Sequence, residues 1–246
     1  LRLASGRAIQ HLSETGDDFC FGLLCHWRRK QAWDLLVGDA QGYVWLYRRA
    51  DTPDYLSLGP GARLELADGG YVRVGVRAAT SQWDTHVGVR ATVGAGDFNG
   101  DGVNDLVVGD AFGNITYFRN VGGNEAPRFA PGKVVVQGSG RAFVTVADWN
   151  EDGLLDLVVG WSGEGINICL NEGTVENPRF RGKTRVEIPV TLPYPCPAVC
   201  DWDADGDQDI ITTCSYGFLY SLDRTFVEQG YAQAEVLRVE KKPGGR

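Results

Sequence analysis

One block recurs along this sequence: Arg90 to Asn120, Arg141 to Asn171 and Tyr194 to Asp223. Its first loop aspartates, Asp97, Asp148 and Asp201, set a period of roughly 50 residues, and tandem self-similarity at that spacing is the mark of a repeat architecture. A decayed copy runs from Asp18 to Arg49, with His26 where the others have aspartate. The step from that copy to the next is longer, which implies an insertion. The repeats are therefore set at about 13–67, 90–140, 141–192 and 193–240, with an insertion at about 68–89, in a single domain spanning 1–246.

Each copy predicts several short strands. Residues 142–147 enter the acidic loop, and the run Asp-Leu-Val-Val-Gly at 156–160, apolar almost throughout, reads as a strand buried on both faces. A glycine turn and a third strand such as Asn114 to Phe118 follow, with further runs at 133–137 and 184–188. Four short antiparallel strands per repeat make a propeller blade. A parallel β-helix, the competing solution, uses shorter repeats with no grouping in fours. The fold class expected is all-β, a propeller of four-stranded antiparallel blades, four in this chain and open to being part of a larger ring. The run Leu1 to Leu12 is a candidate closing strand.

Composition narrows the function. The chain has 33 glycines, no Met and a formal charge of −8. That charge disfavours sequence-independent nucleic-acid binding, which needs a basic footprint. No apolar run reaches the length of a membrane span. The first residues lack the apolar core of a signal peptide, so a mature or trimmed product is expected.

The strongest chemistry lies in three acidic loops. They are Asp97-Phe-Asn99-Gly-Asp101-Gly-Val103-Asn-Asp105, Asp148-Trp-Asn150-Glu-Asp152-Gly-Leu154-Leu-Asp156 and Asp201-Trp-Asp203-Ala-Asp205-Gly-Asp207-Gln-Asp209. Alternate side-chain oxygens converge when such a loop curls. The sixth-place glycine permits the turn, the seventh residue offers a carbonyl and the ninth a carboxylate. Six or more hard oxygens suit Ca²⁺ better than Mg²⁺, so about three calcium ions are expected. An EF-hand is excluded, because its twelfth-place glutamate is here Val108, Val159 or Thr212 and a strand follows each loop. The decayed loop, His26 to Asp34, replaces the first, third and fifth ligands by His26, Arg28 and Lys30. No metal is expected there, and Arg28 or Lys30 is a candidate to pair with the surviving Asp34.

These blocks resemble the FG-GAP/VCBS-type repeats of integrin α-subunit propellers and many secreted bacterial proteins. The resemblance covers residues 19–49 weakly and about 90–223 well. It rests on the three loops, the Asp-Leu-Val-Val-Gly runs and Asn171-Glu-Gly173-Thr174. It implies a secreted protein in an extracellular or periplasmic setting, where millimolar calcium fills modest sites.

No hydrolase elbow, zincin, P-loop or dinucleotide motif occurs, and His11, His26 and His86 are scattered. Residues that break the repeat are the candidates for ligand contact: Trp45, Trp83, His86 and Trp161. The competing structural reading has Tyr43 and Tyr47 packing between blades while Trp45 points away. Two functions stand: a binding or adhesion module for a glycan or extracellular protein, and the propeller of a calcium-dependent polysaccharide lyase or hydrolase.

Recurrent aromatics read as structure. Those in Pro-x-aromatic turns are Tyr55, Phe129 and Phe180, and those at the second loop position are Trp27, Phe98, Trp149 and Trp202. Both sets are assigned to blade edges and blade-to-blade packing. Of the six cysteines, Cys196 and Cys214 are expected opposite each other, on a register that pairs Cys200 with Ile210.

Overall fold

Four antiparallel sheets follow one another along the chain and form the four blades of a β-propeller. The computed structural model describes residues 2–3, 21–29, 32–51, 57–75, 89–175, 177–188 and 190–229. A short strand β1 (Arg2–Leu3) stands outside the blades. The first blade holds β2 (Phe21–Arg29), β3 (Ala32–Gly38) and β4 (Val44–Tyr47); then β5 (Ser57–Leu58) pairs in parallel with β1, and β6 (Ala62–Arg63) completes the blade. The second blade is β7 (Thr92–Gly96), β8 (Asp105–Gly109), β9 (Asn114–Phe118) and β10 (Lys133–Gln137). The third is β11 (Ala142–Ala147), β12 (Asp156–Trp161), β13 (Gly165–Cys169) and β14 (Thr184–Arg185). The fourth, among the described residues, has three strands, β15 (Cys196–Cys200), β16 (Asp209–Thr213) and β17 (Leu219–Leu222), followed by the short helix α1 (Arg224–Gln229).

The second strand of each blade is buried on both faces because it is flanked by strands and sandwiched between blades. Leu106, Val107 and Val108 are fully buried, as are Leu157, Val158 and Val159. At roughly 1.5–3 kcal/mol for each such side chain, these strands dominate the stabilisation. Alternate residues serve opposite neighbours. Leu106 and Val108 pack on the first blade with Trp27, Leu36 and Val44. Val107 and Ile115 face the third with Val144, Leu157 and Val159. A third cluster joins Trp149, Val158 and Ile166 to Ile210 and Leu222 of the fourth. The first strands are innermost: β7 lies against both β2 and β11, and β15 against β11. The rings of Phe21 and Phe143 meet edge-on at 5.2 Å, linking the first blade to the third.

Several expectations are corrected. Part of the segment read as an insertion belongs to the first blade: Val72 N–H donates to Leu64 O (2.8 Å), Val74 N–H donates to Gly42 O (3.0 Å), and both valines are buried. The excursion between Leu64 and Val72 reaches the second blade, where Ala67 N–H donates to Phe129 O. Tyr43, Trp45 and Tyr47 share one face, because residues two apart in a strand point the same way. Tyr47 is buried with Leu35, Val37 and Leu58, and Trp45 packs on that cluster rather than pointing away. Cys200 pairs with Asp209, not Ile210, so Cys196 stands opposite Thr213. A one-residue slip reverses every side chain, and Cys214 is buried while Cys196 is exposed; both are free thiols. The strand read at 184–188 is confined to Thr184–Arg185. No helix among the described residues is long and apolar enough to cross a membrane.

Candidate metal loops and rim cleft

Each acidic loop connects the first two strands of its blade and winds around its own side chains. In the second blade Asp97 accepts hydrogen bonds from Asp101 N–H and Gly102 N–H, at 3.2 and 2.8 Å. Asn99 Oδ1 accepts from Asp101 N–H, and Asp101 Oδ1 from Val103 N–H. The third blade repeats this set: Asp148 accepts from Asp152 and Gly153, Asn150 from Asp152, and Asp152 from Leu154. Turning so tightly needs left-handed backbone at the sixth place, where Gly102, Gly153 and Gly206 have φ of 79°, 87° and 103°. The fourth place is left-handed too, and there Glu151 and Ala204 carry it without glycine.

The third intact loop differs. Asp203 and Asp205 keep their bonds to Asp205 N–H and Asp207 N–H. Asp201, Asp203 and Asp209 bring carboxylate oxygens within 4.8 Å of one another. Asp207 Oδ1 is buried without a hydrogen-bond partner. Converging carboxylates and an orphaned buried acceptor fit a hard divalent cation, which supplies the charge that such a set otherwise lacks.

The ninth-place aspartate has a second task, common to all four blades. One oxygen accepts a backbone N–H from 15 residues downstream: Asp34 from Arg49, Asp105 from Asn120, Asp156 from Asn171 and Asp209 from Arg224. The other accepts the N–H of the second or third loop residue: Arg28, Trp149 and Trp202 in the first, third and fourth blades. In the second blade that oxygen takes the Tyr117 hydroxyl instead, at 2.7 Å. Each of these aspartates is buried. Burial pushes the Asp105 carboxyl up to about 6, partly opposed by the Asn120 and Tyr117 hydrogen bonds, and it raises Asp156 likewise. Period-two patterning marked these residues as loop ligands and gave no sign of this tie.

In the first blade, Arg28 occupies the third ligand place. Its Nε and Nη2 donate to Asp34 Oδ2 and Oδ1 at 3.2 and 3.1 Å, and Nη2 also donates to Arg49 O. The guanidinium stands where the charge of a cation would otherwise be needed. Trp33 and His26, across the same loop, stack with ring centres 3.7 Å apart.

The second-place aromatics are buried in three blades, where Trp27 packs with Phe129 and Phe98 with Phe180 of the following blade. Trp202 departs from this pattern and is 54% exposed. Phe129 and Phe180 are buried, while Tyr55 lies outside the described residues.

Of the ligand candidates, Trp161 is fully buried; its Nε1 donates to Gly113 O at 2.9 Å, so it is a core residue and unavailable for stacking. Trp83 and His86 lie outside the described residues. Trp45 is half-buried and donates to Asp39. It belongs to a group that sequence reading missed: the Arg63 guanidinium lies 4.2, 4.9 and 5.5 Å from the rings of Tyr43, Trp45 and Tyr71. Arg63 also lines a cleft of about 390 Å³ between the outer edges of the first two blades. Its floor is apolar, with Leu46, Leu64 and Pro127, and Arg48, Glu65 and Arg128 join Arg63 on its walls. Arg128 pairs with Glu65 at 2.9 Å, both half exposed. The signal available in sequence was the doublet of arginines beside aromatics in a decayed repeat.

A four-bladed arrangement with acidic hairpin loops defines a propeller of tandem acidic-loop repeats. Residues 97–159 and 148–212 match the model of the FG-GAP-like repeat, and the blades across this stretch are FG-GAP-like repeats. No curated protein matches the chain. Among solved structures, it is similar to an Agrocybe aegerita lectin described for specific recognition of non-reducing terminal N-acetylglucosamine, with 21% identity and a TM-score of 0.47 over 82% of this chain and 48% of that one. It is similar also to the Photorhabdus luminescens Tc holotoxin pore, with 20% identity and a TM-score of 0.43 over 79% of this chain and 9% of that one. The matched region thus spans about half of the first structure and under a tenth of the second.

Proposed function

We propose that this chain is an exported, calcium-stabilised propeller that binds acidic glycans at the rim cleft between its first two blades. The observation that carries this reading is the apolar-floored cleft itself, lined by Arg48, Arg63 and Arg128. An apolar floor suits a sugar C–H face, and a guanidinium fork matches a carboxylate or sulfate. The exposed Arg128–Glu65 pair contributes little to stability, so an anionic ligand can displace Glu65 at low cost. Cleft arginines in a chain of net charge −8 also give local attraction without general affinity for polyanions.

Calcium is structural in this reading. Three ions are held by Asp97, Asn99, Asp101, Val103 O and Asp105, by their counterparts Asp148 to Asp156, and by Asp201 to Asp209. Ions at about a hundred times their dissociation constant add about 2.7 kcal/mol per site. The test has two arms. Melting with chelator, Ca²⁺ and Mg²⁺ reads the metal: a large fall in melting temperature restored by Ca²⁺ and poorly by Mg²⁺ is expected, and an unchanged melt removes calcium. A panel of neutral, uronate-containing and sulfated glycans reads the cleft. Binding to the acidic members, lost in Arg63→Ala and Arg128→Ala at unchanged melting temperature, is expected. Equal binding by those variants removes the cleft.

A further inference from the structure

The inner strands of the second, third and fourth blades begin at the end of the propeller opposite the acidic loops, since each runs from its start into its loop. In the blade before each start, the glycine four residues past the ninth-place aspartate is pressed by the incoming chain. A Cβ at Gly38, Gly109 or Gly160 would lie 2.2 Å from Ala91 O, 3.0 Å from Ala142 O or 2.1 Å from Pro195 O. This repeated approach sets the residues just before, Arg90, Arg141 and Tyr194, at one equivalent place in successive blades. Thr92 Oγ1 fastens the first two starts together by donating to Ala142 O at 3.0 Å. Arg90 and Tyr194 hold left-handed backbone, with φ of 51° and 54°, a conformation that residues other than glycine adopt rarely.

Arg141 lies between them. Its backbone is satisfied: its N–H donates to Ser162 Oγ at 2.9 Å, and its O accepts from Ser162 N–H at 3.0 Å. Its side chain is not. Nε is buried with no hydrogen-bond partner. The half-buried guanidinium makes no ion pair among the described residues, and its charged neighbour there is a second cation. Burial first, and then Arg90, lowers the Arg141 pKa from the ordinary arginine value. The Tyr194 ring, 46% exposed, stands 5.3 Å from the guanidinium. Ser215 N–H donates to Pro193 O at 2.9 Å and brings the turn of Tyr216, 68% exposed, to the same end. A cation that is partly desolvated, unanswered by a carboxylate and set beside a like charge weakens a fold. What this place lacks is an anion.

We propose that this is a second ligand site, which takes an oxyanion on the Arg141 guanidinium against the wall of Tyr194. A carboxylate or sulfate group answers the charge beside Arg90 and matches the planar fork of donors. The exposed aromatic face next to the fork suits the apolar side of an organic ligand that carries the anion. The site stands apart from the rim cleft, which lies at the outer edges of the first two blades, and does not rest on that reading.

The test is calorimetric titration of sulfate and of glucuronate into the full chain at constant calcium. Saturable binding by the wild type is expected, weakened at least about ten-fold in Arg141→Gln, which loses the charged donors. The doubly substituted cleft variant, Arg63→Ala with Arg128→Ala, should keep it. Tighter glucuronate assigns the anion to a sugar acid and tighter sulfate to an inorganic or ester sulfate; both support an oxyanion site. In anion-free buffer Arg141→Gln should melt no lower than wild type, and added anion should raise the melting temperature of the wild type alone. Should Arg141→Gln melt lower, Arg141→Lys decides: it keeps stem and charge, and it must still bind more weakly because it lacks the fork. A wild type without saturable binding overturns the proposal. So does wild-type affinity in Arg141→Gln or Arg141→Lys, and so does loss of all binding in the cleft variant, which would place the anion in the cleft and leave that reading standing.

Discussion

Arg28 holds Asp34 with two guanidinium nitrogens at a place where the other blades have asparagine or aspartate. Asp34 is fully buried, so removing its partner strands a charge in the interior. Such a loss costs about 3–5 kcal/mol when one member of a buried pair is deleted. Arg28→Ala is expected to approach this in denaturant unfolding, with no recovery on adding calcium, because the loop lacks the first and fifth oxygens. Arg28→Lys should recover only part, since an ammonium cannot make the fork.

Trp161 of the third blade and Gly138, just past β10 of the second, form a tight contact between the two blades. A Cβ at Gly138 would lie 2.3 to 2.5 Å from the indole. Gly138→Ala is expected to cost about 1–3 kcal/mol by overpacking, and Trp161→Ala about 3–5 kcal/mol by leaving a cavity. Glycan binding by whatever fraction stays folded should be unchanged. Titration of both variants against wild type checks this.

Asp105 supplies a pH dependence in calcium-free protein. Its carboxyl titrates at about 6 when folded, against an ordinary 3.8. The folded chain therefore binds the proton more tightly, so this residue's stabilising contribution is present below 3.8 and is lost as pH rises through about 6. Melting temperature in chelator is expected to fall across that window. Asp105→Asn, which keeps the acceptor for Asn120 N–H, should flatten the profile there.

Thiol reactivity should sort by burial. Cys169 is fully buried, and burial pushes both it and Cys25 up to about 12. Cys200 is exposed. Brief alkylation of native protein followed by peptide mass mapping is expected to modify Cys200 and to spare Cys25 and Cys169 until denaturant is added.

Repetition made most of this fold legible. The strands at 114–118, 133–137 and 142–147 lie where the repeat put them, because each copy corroborates its neighbours. Errors arose where a residue was read without its counterparts. Asp105 pairs with Gly96 and Asp156 with Ala147, so the pairing of Asp209 with Cys200 follows the repeat, whereas the register chosen for the cysteines ignored it. The rim cleft was hidden for a different reason. Arg63 and Arg128 are far apart in sequence and are gathered by the packing of two blades.

The tie made by the ninth aspartate separates two jobs that the loop motif runs together. Closing the blade uses that one buried carboxylate and the amide 15 residues on, whereas the proposed ion would need the oxygens before it as well. A duplicated copy can then shed its ion ligands one by one and still close, provided the aspartate stays and something answers its charge. The first blade has followed that course, with Arg28 as the answer. In a tandem array of this design, dependence on the proposed calcium becomes a property that individual copies can lose without unravelling their blades, leaving their loops free to acquire other work.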